Sequence, residues 1–247
     1  MIGTILNASG ILIGGAIGFV RRKAFPPTTE AFFKVMLGVF TVYYGLRLTW
    51  LSLDGSGLQI SKQLVILILS LMLGKLTGRL LGLQKLSNRI GRAASERIVR
   101  ASAAKPGQSG KPADGLKACA ALFCAAPLGL IGAVTDGLSG YYWPLAIKGV
   151  MDALATLGFV RLFGWGALLA VVPVVALQGS ITLVSQGLLP FLEAHSSGGH
   201  ELVNSLNGVA GMMIFSVALV ILELKRIELA DYLPGLIVAP LIAWLWR

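Results

Sequence analysis

Eight long apolar stretches, separated by mostly short polar connections, limit the folds that this chain can adopt more than any other feature of its sequence. A helix of about 20 apolar residues spans the hydrocarbon core of a bilayer. Only 13% of the residues are charged, against about 25% in ordinary soluble domains. We therefore predict an all-α, polytopic membrane helix bundle of about eight spans, or seven if a terminal segment is re-entrant. The stretches are 2–20, 31–53, 63–83, 116–135, 144–163, 167–189, 202–222 and 233–246.

The one long polar connection lies between the third and fourth stretches. Its first half places apolar residues at helical spacing among arginines, a pattern typical of an amphipathic helix on an anionic membrane surface. Its second half is rich in Pro, Gly, Ser and Lys and predicts a flexible linker. We expect N-terminal membrane helices in 1–83, a basic cytoplasmic linker in 84–115 and C-terminal membrane helices in 116–247, all in one membrane domain. The arginines expected to contact headgroups are Arg89, Arg92, Arg97 and Arg100.

The basic residues also predict the orientation of the chain. With eight spans and the N-terminus outside, 17 of the 21 Lys and Arg residues fall on the inner side. Lys and Arg accumulate in cytoplasmic loops of membrane proteins. We therefore expect an inner-membrane protein with both termini in the periplasm. The formal net charge of +10 follows from these loops, so we do not expect nucleic acid as a partner.

Three ionisable residues lie within or beside apolar stretches, namely Asp136, Lys148 and Asp152. A charged side chain at the centre of a bilayer costs about 2.5–3.5 kcal/mol on insertion scales. Lys148 and Asp152 are four residues apart, so a helix places them on one face as neighbours. The pair predicts a polar site visited by an ion or solute. The alternative is an ion pair that joins helices and binds nothing.

Further polar residues fall at similar predicted depth, in the outer half of their spans. If the spans surround one axis, these residues line an outward-facing polar cavity. If they do not, they form separate interhelical hydrogen bonds, each contributing about 0.6 kcal/mol. The candidate ion- or solute-binding residues are Asn7, Asp136, Lys148, Asp152, Gln178, Thr182, Gln186 and Asn207.

Glycines and prolines mark where helices can approach or bend. Glycines repeat every fourth residue in the first and third stretches, at Gly10, Gly14 and Gly18 and at Gly74, Gly78 and Gly82. Such strips let helix backbones come close, within the chain or in a homo-oligomer. Pro127, Pro173 and Pro240 predict breaks in the fourth, sixth and eighth stretches.

Residues 124–159 resemble the YqgA-like bacterial inner-membrane proteins of the domain of unknown function 554 family. The similar pieces are the Cys124-to-Pro127 opening, the turn at 132–138, the helix start at 147–154, and the pattern at 172–182. The chain departs from the family pattern at Ala126 and Ala153. The resemblance extends over nearly the whole chain. It implies a multi-pass bacterial membrane protein without a settled substrate.

No nucleotide-binding or catalytic fingerprint occurs in the sequence, so we expect neither an enzyme nor a cofactor. The two histidines, His195 and His200, are five apart and do not form a helical ligand pair, so we expect no metal. These observations favour a transporter or channel for a small ion or polar solute, built around Lys148 and Asp152. The alternative is a non-transporting membrane scaffold or assembly protein.

Overall fold

The computed structural model describes residues 1–21, 25–103, 111–195 and 200–246. Within these ranges the chain contains helices, turns and bends and no β-strand, which confirms the all-α prediction. Residues 104–110, in the predicted flexible linker, lie outside the described part. The helices are α1 (Ile2–Val20), α2 (Pro27–Leu51), α3 (Gly57–Leu81), α4 (Leu83–Ser102), α5 (Pro112–Ala125), α6 (Pro127–Ser139), α7 (Trp143–Phe163), α8 (Trp165–Leu168), α9 (Val171–Ala194), α10 (Glu201–Ile221) and α11 (Gly235–Leu245), with a 3-10 turn at Leu229–Tyr232.

Five helical stretches of the described chain are long and apolar enough to cross a membrane. They are α1, α2, α3, α8 with α9, and α10, and the bent pair of α5 and α6 makes a sixth. The two remaining predicted spans are α7, which carries the buried charges, and α11, which has 11 residues. The structure thus confirms a membrane helix bundle and places a helix in each of the eight predicted stretches.

Helices α1 and α7 pack along a strip of glycines, as the sequence predicts. A Cβ atom at Gly10 or Gly14 would overlap the backbone carbonyl of Gly149 or Ala153. A Cβ at Gly18 would lie 2.8 Å from the carbonyl oxygen of Leu157. The absence of side chains on α1 therefore lets its backbone touch that of α7.

The glycine strip of α3 also packs within the chain. Gly74 lies against the backbone of Gly235, and Gly78 against that of Asp231 in the 3-10 turn. Gly82 differs from the expected strip: it has φ +68 and joins α3 to α4. Because these surfaces are occupied inside the protein, they do not supply the homo-oligomer contact that the sequence suggested.

Helix α4 is amphipathic, as predicted. Ala94 is fully buried, and α4 packs mainly against α5. Arg89, Arg92 and Arg100 are exposed, whereas the half-buried Arg97 donates a hydrogen bond to the carbonyl of Ala93 at 2.9 Å. Contact of these arginines with anionic lipid stays a prediction.

We use the name basic end for the end of the bundle that carries α4 and the connection 222–234. Helices α3 and α10 both end there. Helix α2 begins there, as shown by the ion pair at 2.5 Å between Lys34, near its start, and Glu223 in the connection. The other end carries the starts of α3 and α10, which Lys62 and Glu201 join at 3.4 Å.

Candidate functional site

Pro127 breaks the fourth predicted span into α5 and α6, whose axes differ by 59°. Proline lacks a backbone N–H and clashes with the preceding turn, so it cannot continue α5. Ala126 between the two helices is extended, with φ −67 and ψ 118. Carbonyls at the end of α5 and N–H groups at the start of α6 therefore lack helical partners within the bundle. The proline break predicted at this position is confirmed.

The buried ion pair lies against this break. Lys148 is 1% exposed and Asp152 is 6% exposed, and the Lys148 ammonium donates a hydrogen bond to Asp152 Oδ2. The Lys148 nitrogen also lies 5.6 Å from the centre of the Phe123 ring, a cation–π distance. A Cβ on Gly129, in the first turn of α6, would lie 2.9 Å from Lys148 Cε. Any larger residue at position 129 would require the lysine side chain to move.

Asn7 and Gln178 complete the centre of the site. The Asn7 amide nitrogen donates to Gln178 Oε1 at 3.0 Å. Asn7 Oδ1 and Gln178 Nε2 have no hydrogen-bond partner, although the residues are 0% and 1% exposed. A buried unsatisfied polar atom costs about 1–3 kcal/mol. The site therefore offers one hydrogen-bond acceptor and one donor beside the ion pair. A bound water, ion or polar solute would satisfy them.

Two further contacts extend this cluster along α1 and α6. Thr182 donates to the carbonyl of Ala133 at 3.2 Å and lies 3.5 Å from the hydroxyl of Thr4. Asp136 Oδ2 accepts a hydrogen bond from the backbone N–H of Gly3 at 3.1 Å and lies 3.2 Å from the amino group of Met1. Asp136 therefore belongs to the same column of polar contacts, about two turns of α6 away from Gly129.

The structure places Asn207 and Gln186 away from the ion pair. Asn207 accepts a hydrogen bond from Ser139 at 3.3 Å, at the end of α6 opposite to Pro127. Ten residues of α6 separate Ser139 from Gly129, which is about 15 Å of helix. Gln186 is exposed on α9. The predicted residues thus form a column along α6 rather than one pocket.

A cavity of about 310 Å³ reaches the ion pair. Its wall includes Pro127 at the helix break and both Lys148 and Asp152. The other lining residues are apolar, and three of them, Val217, Val220 and Ile221, belong to the last turns of α10. These turns lie toward the basic end, so the cavity approaches the site from the side opposite to the predicted outward-facing opening. Trp143 at the start of α7 stacks on Tyr44, and the adjacent Gly45 contacts Gly211, well inside α10. Helix α7 therefore begins deeper in the bundle than α10, which places Asp152 deeper than the sequence predicts.

Sequence reasoning missed several residues that build the site. Thr4 lies three residues before Asn7, on the same face of α1, so helical spacing alone would have found it. Phe123 and Met151 carry no such signal, because apolar residues are common in every span. Pro173 lies in the first turn of α9, and the helix is interrupted just before it, at residues 169 and 170. Because proline clashes with the carbonyl four residues before it, the break predicted in this stretch is confirmed.

The two loop histidines contact neighbouring residues and do not face each other. His195 Nδ1 lies 2.9 Å from the carbonyl oxygen of Phe191. His200 Nδ1 lies 3.1 Å from Glu193 Oε1, and both side chains are largely exposed. Glu201 pairs with Lys62. Among the described residues, no group of three or more His, Cys, Asp and Glu side chains is arranged to hold a metal ion.

Comparison with known proteins supports a membrane protein. The chain is 27% identical over 242 residues to the "Uncharacterized membrane protein YdfK" of Bacillus subtilis (strain 168), covering 98% of this chain and 95% of the relative. It is 23% identical over 246 residues to the "Uncharacterized protein YqgA" of Escherichia coli (strain K12), covering 100% and 97%. No solved structure matches. Because residues 2–244 match the family described as "Protein of unknown function (DUF554)", the chain belongs to this family.

Proposed function

We propose that this protein transports or conducts a small ion or polar solute across the bacterial inner membrane. The observation that carries the proposal is the broken helix α5–α6 facing a buried ion pair and two unpartnered amide atoms. Discontinuous membrane helices form the substrate and ion sites of many transporters, because their free backbone groups can replace the water around a solute.

The roles of the charged residues follow from the geometry. Asp152 contacts an entering cation or carries the coupled proton. Lys148 is the partner of Asp152 when the site is empty, and it is displaced when a cation arrives. Asn7 Oδ1 and Gln178 Nε2 supply one acceptor and one donor within the same cluster. A single cation can therefore replace the lysine charge while the amides replace part of its hydration.

The polar column supplies a route on one side of the ion pair. Its steps are the Asn7–Gln178, Thr4–Thr182, Asp136–Gly3 and Asn207–Ser139 contacts. They follow α6 away from Pro127, toward the end opposite to the basic end. An ion or proton moving along this line meets a polar group at roughly every turn of α6.

A groove supplies the route on the other side. It has a volume of about 370 Å³, lies between α2, α7 and α10, and has Glu30 and Lys34 in its wall. Met151 and Ile221 line both this groove and the cavity at Asp152. These two side chains therefore form the partition between the basic end and the ion pair. Met151 is the better candidate for a moving element, because methionine is unbranched and adaptable.

Cysteine labelling tests this access route. We expect a cysteine at Met151, in a chain whose free cysteines Cys119 and Cys124 are replaced by alanine, to react with a membrane-impermeant thiol reagent from the basic end. Lys34→Cys in the same background identifies which face of the vesicle that is. The matched control is Leu145→Cys on the same helix, since Leu145 is 0% exposed and should stay unlabelled. Labelling of Met151→Cys from the opposite face alone, or no faster than Leu145→Cys, would contradict the route.

The alternative function is a non-transporting scaffold that binds partners or lipid through α4. The exposed arginines of α4 are the observation that favours it. Under this alternative, neutralising Arg89, Arg92, Arg97 and Arg100 impairs the protein in the cell more than changing Asp152 does.

A further inference from the structure

A second and larger cavity, of about 690 Å³, lies at the basic end between α3, α4, α10 and the 3-10 turn. Three cationic side chains line it: Lys75 from α3, and Lys225 and Arg226 from the connection after α10. Its wall contains one carboxylate, that of Glu228. The cavity is separate from the one at Asp152, although Leu229 contributes to both walls.

The cations of this cavity have no ionic partner in the described part of the chain. No carboxylate oxygen there lies within 4.0 Å of Lys75, Lys225 or Arg226. Lys75 is half-buried, and its ammonium lies 5.4 Å from the centre of the Tyr232 ring. Three cations against one carboxylate leave an excess of positive charge inside a concave site, which favours an anionic ligand.

Specific hydrogen bonds hold the wall of the cavity in place. Asp231 Oδ1 accepts from the backbone N–H of Gln84 at 2.8 Å, and Gln84 Oε1 accepts from the backbone N–H of Ala230 at 3.1 Å. This reciprocal pair joins the start of α4 to the 3-10 turn. Gln84 is itself a wall residue, so the site is formed before a ligand arrives.

The inner wall of the cavity is apolar. Leu71, Met213 and Ile227 contribute to it, and Leu71 and Met213 lie on membrane helices α3 and α10. The cations lie nearer the basic end, and the apolar wall lies deeper in the bundle. This arrangement suits an amphiphile whose anionic headgroup faces the basic end and whose acyl chain extends into the bundle. Basic pockets between membrane helices near the cytoplasmic face are suited to phosphate headgroups.

We propose that this cavity binds the phosphate group of an anionic phospholipid, with Lys75, Lys225 and Arg226 around the phosphate and an acyl chain against Leu71 and Met213. A small soluble phosphate compound shares the headgroup chemistry but would leave the apolar wall uncovered. The site differs from the exposed arginine surface of α4, where lipids exchange with the bulk bilayer.

Native mass spectrometry of the full chain, released from detergent in the presence of phosphatidylglycerol or phosphatidylcholine, tests this proposal. We expect the wild type to retain phosphatidylglycerol in preference to phosphatidylcholine. Lys225→Gln with Arg226→Gln should weaken phosphatidylglycerol binding roughly 30-fold, at about fivefold for each cation near the headgroups. Both residues are exposed in a connection, so this variant keeps its fold. The matched control, Lys111→Gln with Lys117→Gln, removes the same charge from two exposed positions at the start of α5 and should change retention little.

Two results would overturn the lipid assignment. One is equal retention of phosphatidylglycerol by the wild type and the Lys225 and Arg226 variant. The other is displacement of the lipid by inorganic phosphate, which would identify the source of the anion as a free phosphate compound. Retention that withstands excess inorganic phosphate and falls in the variant supports the phospholipid.

Discussion

Replacing Asp152 with asparagine should lower the free energy of unfolding by about 3–5 kcal/mol, the usual cost of removing one partner from a buried ion pair. The change leaves the ammonium of Lys148, which is 1% exposed, without a charged partner. Reversible denaturation in detergent micelles would measure the loss.

The matched variant is Lys148→Met with Asp152→Leu, which removes both charges and replaces each side chain with an apolar one of similar length and branching. Replacing a buried ion pair with apolar residues is often neutral or stabilising, so we expect this double variant to be as stable as the wild type or more stable. Equal stability of the wild type and Asp152→Asn would mean that water screens the pair and that the site is not closed in this state.

Gly14→Ala should destabilise the packing of α1 on α7 by about 3 kcal/mol, at the upper end of overpacking costs. The added methyl group would overlap the backbone of Ala153, and a backbone cannot rotate out of the way as a side chain can. Because α1 carries Asn7 and Thr4, the same displacement would also separate the two halves of the polar column. Thermal unfolding in micelles would report the first effect.

Gly158→Ala on α7 is the control for this prediction. Nothing lies within 4 Å of a Cβ placed there, so it should be neutral or stabilise the helix by up to about 1 kcal/mol. Similar melting temperatures for Gly14→Ala and Gly158→Ala would contradict the close backbone contact between α1 and α7.

Local patterns in the sequence predict much of this fold. The break at Pro127, the close approach along Gly10 and Gly14, and the Lys148–Asp152 pair each depend on residues within one helix or on a constraint that proline or glycine imposes. Such constraints act whatever the rest of the bundle does, so a single sequence is enough to find them.

Depth and rotation of whole helices could not be predicted in the same way. The sequence predicts Asn207 at a depth similar to that of the ion pair, but Asn207 bonds Ser139 at the far end of α6. Helix α10 is shifted along the bundle relative to α7, and only tertiary packing fixes that shift. Gln186 lies about 80° around the helix from Gln178 at 100° per residue, which puts it at the edge of the polar face. Ser185, about 20° from Gln178 on the other side, is buried instead.

The direction of the cavity is the largest difference from the sequence interpretation. Positive charges predict which end of each helix faces the cytoplasm, but they do not say where side chains leave a void. The void at Asp152 exists because α5 and α6 diverge by 59° at Pro127, and α10 closes over it only with apolar side chains. This places the accessible side of the ion pair toward the basic end.

Flux through reconstituted vesicles tests the central claim most directly. Proton movement would be followed with a trapped pH-sensitive dye and cation movement with labelled Na⁺ and K⁺, for the wild type and for Lys148→Met with Asp152→Leu. We predict that wild-type vesicles move at least one of these ions faster than protein-free vesicles and that the double variant, although folded, reduces that flux to the protein-free level. Equal flux in both proteins, or wild-type vesicles that move none of the three ions, would contradict an ion-conducting role for Lys148 and Asp152.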